Sequence, residues 1–384
     1  MILKRIKFFF LFFPSLYLQV KSDCNLKILK DPYEKILIKN RYIELEIIPK
    51  YGGVISKYNL LNSTILFPFQ IEKKEFYPGS PIFMEWVNFA GCSDWLWPGG
   101  GNLKKENYDY EILENNKERV IVNLKNKTGI IERRITIYRD KSLVEIDVKE
   151  DFDKKSYWFH PLFCVGGKFD EDDFLVIPCA KTEKRVRNLT EIVDKEEIRI
   201  FHPETSNYFY LPYQRWFCLI DKNKKLLGGV IIERKFINKD TIFYSWNGIV
   251  GENRKGISLE VIYPENEKEF KIYLVSLSGF ENISYLSENI GIYLESKERV
   301  SKNENIPFLL KISSPSLKNF NLMIGIGKES KEIFLRNISP LKIFKYKGSI
   351  KGIEESGRYR WRFKIIKDGE IIEDFEILKE LEVL

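Results

Sequence analysis

The chain has 384 residues, of which 44% are hydrophobic, 30% charged and 14% aromatic, and its formal net charge is +7. That length allows one large domain plus a smaller one, and the composition is too apolar for a disordered chain. Residues 1–22 hold Lys4, Arg5, Lys7 and Lys21 and no acid, so without them the charge falls to +3. A surplus that small, spread over mixed-sign segments, leaves no footprint for nucleic acid.

The first 22 residues read as a targeting segment. A basic start precedes the apolar run Phe8 to Val20, which is too short to span a bilayer comfortably, and no later stretch approaches the required length. Val20-Lys21-Ser22 offers a cleavage site, so the mature chain is expected to begin near Asp23, secreted or periplasmic and without a membrane span. Asp23 before Cys24 is a poor lipobox. The cysteines at 24, 92, 164, 179 and 218 show no paired short spacing. Cys164 with Cys179 is the candidate disulfide if the compartment is oxidising.

From Ile36 to Ile48 apolar and polar residues alternate, the period of a half-buried strand. Pro49-Lys50-Tyr51-Gly52-Gly53 then turns the chain into Val54 to Leu66, and the glycine pair suits a connection needing positive φ. Beyond Ile82 to Phe89, the stretch Ala90 to Asn102 carries Asp94, Trp95, Trp97 and three consecutive glycines. It reads as an aromatic loop able to hold a ligand, with Asn88 and Asp94 beside it. Strands resume at Tyr108 to Leu113 and Arg119 to Leu124.

A hairpin follows, in which Ile135 and Ile137 alternate with polar residues, Arg139-Asp140-Lys141 connects, and Val144, Ile146 and Val148 alternate again. Tyr157 to Val165 is apolar almost throughout, the mark of a strand covered on both faces. His160, one of only two histidines, stands in its middle. Short strands continue through Phe174 to Cys179, Ile198 to His202, Tyr208 to Ile220, Leu226 to Glu233 and Thr241 to Trp246. They end with Gly256 to Pro264, which carries Glu260, and Glu269 to Leu277. Only Phe280 to Asn289 hints at a helix.

So many strands with so little helix predict an all-β antiparallel sandwich. A polar break at Ser296 to Asn305 separates it from a tail, giving domains at 23–290 and 300–384. The tail alternates cleanly over Gly357 to Phe363, turns at Lys367-Asp368-Gly369, and reads as a small immunoglobulin-like β-sandwich.

Three pieces together resemble the galactose mutarotase (aldose 1-epimerase) superfamily, whose fold is a large antiparallel β-supersandwich. Leu45-Glu46-Ile47-Ile48-Pro49-Lys50-Tyr51-Gly52-Gly53 is similar to the family's opening strand and Pro-x-x-Gly-Gly turn. Tyr157-Trp158-Phe159-His160-Pro161-Leu162-Phe163 is similar to its histidine strand, and Gly256 to Pro264 to its late Leu-Glu strand. The match covers about residues 36 to 280.

By this resemblance Glu260 would be the base that removes the anomeric hydroxyl proton and His160 the acid that protonates the ring oxygen. Imidazole and carboxylate can share that work at neutral pH. Trp95 and Trp97 would stack on a pyranose face, with Asp94 and Asn88 as further substrate contacts. Two departures stand out. Phe159 replaces the family's asparagine beside the histidine, and its additional histidine is missing where Asn88, Cys92 and Asp94 stand.

His160, Cys164, Cys179 and His202 match no zinc spacing, and no metal or cofactor is expected. Three classes stay open: an enzyme acting on a sugar, a secreted carbohydrate-binding protein for a sugar or polysaccharide, and a structural or assembly sandwich. If the site is catalytic, the two ionisable groups are expected across a space about the size of a pyranose ring.

Overall fold

The computed structural model describes residues 23–68, 91–97, 103, 106–153, 155–182, 192–203, 207–209, 212–237, 241–246, 249–250, 253–254, 256–265 and 267–384. Residues 1–22, expected from the sequence to be a targeting segment, and Asn88 lie outside them. No helix among the described residues is long and apolar enough to cross a membrane.

Among the described residues, two large antiparallel sheets are built from strands between Asn25 and Ser278. The first has ten strands, and its central run is Val54–Leu60, Cys92–Trp97, Ser156–Phe163, Ile257–Ile262 and Ile242–Trp246. The second has nine, including Asp173–Thr182, Trp216–Asp221, Leu226–Ile232, Glu269–Ser278, Leu143–Glu150 and Ile131–Tyr138. Alternation decides which side chains meet. Ile36, Ile38, Leu45, Phe159, Leu259 and Val261 of the first sheet share one core with Ile135, Val144, Ile146 and Leu274 of the second. The strand Ser156–Phe163 is buried along nearly its whole length, as its apolar sequence predicts.

The Gly52-Gly53 turn has φ of 65° and 58°, the left-handed region that glycine enters without strain. A Cβ on Gly53 would lie 2.7 Å from Arg133 Nη2, and that nitrogen donates to the carbonyls of both Gly52 and Gly53. The glycines thus serve a buried guanidinium as well as the turn.

A four-stranded and a five-stranded sheet form a second, smaller sandwich around its own core, from Tyr285 to Val383. Its one parallel pairing joins Arg299–Val300 to the last strand. The polar stretch 296–305 does not precede this sandwich. Gly291–Ser296 pairs with Ile306–Ser313, so the stretch is a connection inside it. The helix expected over Phe280 to Asn289 is not formed either. Phe280, Ile283 and Leu286 are buried against Trp216, Cys218, Leu227 and Leu277 on the outer face of the second large sheet. Their helix-like spacing instead places apolar contacts along an irregular connection.

All five cysteines are buried, and none is in a disulfide. The expected Cys164–Cys179 disulfide is absent because the two do not lie on neighbouring strands. Cys164 follows a strand of the first sheet, and Cys179 belongs to a strand of the second.

Candidate functional site

His160 and Glu260 meet on the outer face of the first sheet. The strands carrying them are antiparallel, with Trp158 opposite Ile262, Phe159 opposite Val261 and Leu162 opposite Ser258. Continuing that register sets His160 opposite Glu260. Pro161 beside the histidine has no N–H to give to the ladder. His160 Nε2 lies 3.3 Å from Glu260 Oε1, and the residues are 3% and 0% exposed. The Ser258 hydroxyl, two residues before Glu260 and so on the same face, donates to the same carboxylate oxygen.

The surroundings are aromatic. The Trp95 ring stacks on the imidazole, with centroids 4.5 Å apart and planes 7° from parallel. Trp158 lies 5.4 Å from Trp95 and 6.0 Å from Tyr244, and Tyr244 lies 4.5 Å from the exposed Tyr208. Leu162 and Ile262 complete this cluster, separate from the core between the sheets, with Phe67, Ile242 and Trp246 packed at its margin. Imidazole, carboxylate and hydroxyl therefore share one apolar surface, where low polarity strengthens their interactions.

Trp95-Leu96-Trp97 is not a loop. Cys92–Trp97 is a strand that pairs with Ser156–Phe163, with Trp95 opposite Trp158 and Ser93 opposite His160. The flanking glycines and Pro98 disguise it, but Ser93 and Trp95 alternate with Asp94 and Leu96 as a strand requires. Trp97 ends the strand opposite Ser156; its side chain lies outside the described part.

The same alternation sends Asp94 to the other face. Expected as a substrate contact, it is instead buried between the sheets, where Arg133 Nε lies 3.1 Å away. Tyr157 donates to it at 2.6 Å and Tyr108 at 3.3 Å. Burial pushes its carboxyl up, while Arg133 and the two phenols pull it down. The Asp94–Arg133 pair ties the Trp95 strand to the Gly52-Gly53 turn, so its part in the site is positional.

No pyranose-wide space separates the ionisable pair, since His160 and Glu260 touch. Trp158, Ser258 and Tyr244 were not picked out from the sequence. For the first two the signal was available: each lies two residues from His160 or Glu260 on a strand. Tyr244 needed the register of a third strand, in which it faces Glu260. His202 is elsewhere, its Nδ1 2.8 Å from the Asp173 carbonyl and its ring stacked on Phe169. Among the described residues no group of three or more histidine, cysteine or carboxylate side chains is arranged to hold a metal ion.

No protein-family model matches the chain, and no curated protein matches it. Solved structures give loose likenesses. A galactose mutarotase-like protein from Clostridium acetobutylicum is 12% identical with a TM-score of 0.46, over 68% of this chain and 99% of that one. A TPR-domain containing protein from Parabacteroides distasonis is also 12% identical at 0.46, over 64% of this chain and 47% of that one. The 4-alpha-glucanotransferase from Thermococcus litoralis is 15% identical at 0.41, over 67% of this chain and 41% of that one. Likenesses this loose carry no assignment of activity.

Proposed function

We propose that this protein binds a sugar at the outer face of the first sheet and that His160 and Glu260 are the acid–base pair of that site. The observation that carries the reading is the contact of His160 Nε2 with Glu260 Oε1 beneath a parallel-stacked Trp95. Aromatic faces match the C–H faces of a pyranose, while imidazole, carboxylate and hydroxyl orient its hydroxyl groups. Anomer interconversion does not need the pyranose-wide gap expected from the sequence, which the touching pair lacks. The anomeric hydroxyl and the ring oxygen are bonded to the same carbon, so the groups that serve them belong side by side. In that reaction Glu260 takes the hydroxyl proton while His160 gives one to the ring oxygen, the ring opens, and the reverse transfers close it on the other face. With both groups almost wholly buried, sugar entry has to expose them.

Calorimetry with a panel of mono- and oligosaccharides, paired with polarimetry on freshly dissolved anomers, tests both halves. Glu260→Gln keeps the shape and removes the basicity, so it is expected to abolish turnover and leave affinity within about threefold. Binding without turnover in the unaltered protein would leave the second reading, a non-catalytic carbohydrate-binding module, which the same Trp95 platform supports. Absence of any sugar binding would overturn both. Export belongs to the proposal through residues 1–22 alone, and N-terminal sequencing of the exported protein is expected to start close to Asp23. Recovery of only an uncleaved chain from the cytoplasm would refute it.

A further inference from the structure

An open cleft of about 640 Å³ lies away from the buried pair, lined by residues 32–34, 49–50 and 107–110. It forms where the turn before Lys35–Lys39, near one edge of the first sheet, meets Tyr108–Asn115, the edge strand of the second. Backbone bonds fix its floor. Gly52 N–H donates to the Glu106 carbonyl at 2.7 Å and Tyr108 N–H to the Pro49 carbonyl at 3.0 Å. Its position is therefore set by the Gly52-Gly53 turn and not by a loose loop.

The lining is specific in kind. Tyr33 and Tyr110 are half-buried, while Lys50, Asn107 and Asp109 are exposed. Tyr33 is braced edge-on by Tyr51 at 5.5 Å. The Tyr110 hydroxyl donates to Glu34, and burial together with that carboxylate raises its pKa. The cleft thus offers two aromatic rings, the acceptors Glu34 and Asp109, and the donors Asn107 and Lys50. Two acids are balanced by two lysines, Lys50 and Lys35, whose ammonium lies 5.0 Å from the Tyr33 ring centroid, so there is no cationic field for a phosphate or a uronate. The volume falls within the range of small-ligand sites. Stacking surface, mixed donors and acceptors, and no strong net charge describe a site for a neutral sugar ring.

We infer that this cleft is a second sugar-binding site, which takes one or two neutral hexopyranose units. The inference extends the sugar-binding reading to another place on the molecule but depends on different residues. It calls for no bond to be made or broken. The cleft holds sugar in the open, whereas the His160–Glu260 face has to be exposed first.

The test is an amide chemical-shift titration of the full chain with methyl glucoside, methyl galactoside, methyl mannoside and maltose. The expected result is saturable shifts at residues 32–34, 49–51 and 107–110 with at least one of these probes. Those shifts should persist in Trp95→Ala. Tyr33→Ala should weaken them about tenfold, the loss of one stacking ring, with Asp109→Asn as a second variant at an exposed position that leaves the fold intact. Shifts confined to 92–97, 156–163 and 257–262 would overturn this site while leaving the proposed function standing. Cleft shifts that vanish in Trp95→Ala would show that the cleft is not a separate site. Cleft shifts that survive both Tyr33→Ala and Asp109→Asn unchanged would overturn it as well.

Discussion

Asp173 is a carboxylate with no exposed surface, directly opposite Asp221 on the neighbouring strand. Its Oδ2 accepts from the Asp170 amide at 2.8 Å, and Lys224 reaches Asp221 at 3.3 Å. Burial, reinforced by Asp221 and Asp170 and opposed by the Asp170 amide and Lys224, pushes its pKa from 3.8 up to about 8. An acid so raised keeps its proton longer in the folded chain than in the unfolded one. Its contribution to stability is therefore complete below about pH 4 and is lost as pH climbs to about 8. Asp173→Asn, which mimics the protonated form, is expected to flatten that part of the stability–pH curve and to raise the melting temperature most at pH 8. A variant curve parallel to the parent's would contradict this. At Asp94 burial likewise raises the carboxyl, but Arg133 supplies an opposing cation 3.1 Å away. Removing one partner of such a pair strands the other charge, which is why this pair reads as support for the Trp95 strand.

The strands show which parts of the architecture a sequence reveals. Period-two alternation identified the hairpin around Arg139-Asp140-Lys141, and its partners pair as expected, Val144 with Ile137 and Ile146 with Ile135. The Lys367-Asp368-Gly369 turn is likewise present, with Asp368 and Gly369 at φ of 52° and 88°. Cys92–Trp97 escaped notice because glycine and proline at its flanks outweighed an alternation only six residues long. That His160 faces Glu260 could be reached only through the family resemblance. Register between strands a hundred residues apart leaves no local trace. At Gly53 the turn and the core make competing demands that only glycine satisfies. Gly53→Ala forces a Cβ against Arg133 Nη2 at positive φ, and should destabilise by about 2–3 kcal/mol. Gly129→Ala has φ of 74°, but its nearest contact is the flexible Lys125 side chain at 3.4 Å, so only the backbone strain of about 1 kcal/mol applies. Equal losses in denaturant titration would show that Arg133 does not constrain the turn.

At the scale of the whole molecule, the two sandwiches are joined by a half-buried polar lock. Arg215 on the large sandwich lies 2.6 Å from Glu288 and 3.2 Å from Glu373 of the small one. Glu373 also accepts from Tyr285, Ser287 and Asn289. Tyr285 stacks on Phe375 at 3.7 Å, and Gln214 Nε2 donates to the Glu376 carbonyl at 2.9 Å. A join this specific predicts one cooperative unfolding transition for the pair. Arg215→Ala leaves Glu373 its three other donors, so the loss should be about 2 kcal/mol, and calorimetry should show two separate transitions. A single unshifted transition in the variant would mean that the lock contributes nothing.

The polar composition of 296–305 suggested a boundary there, yet the connection is buried at Phe280, Ile283 and Leu286. Contact between domains, unlike a solvated linker, looks like core in a sequence. The most direct test of the whole account is a calorimetric sugar titration of Tyr33→Ala, in which the open cleft is weakened, beside Tyr33→Ala/Trp95→Ala, because Trp95 is the ring laid flat on the imidazole. The account predicts binding in the first that weakens about tenfold or more in the second. A sugar held equally well by both, or by neither, would contradict it.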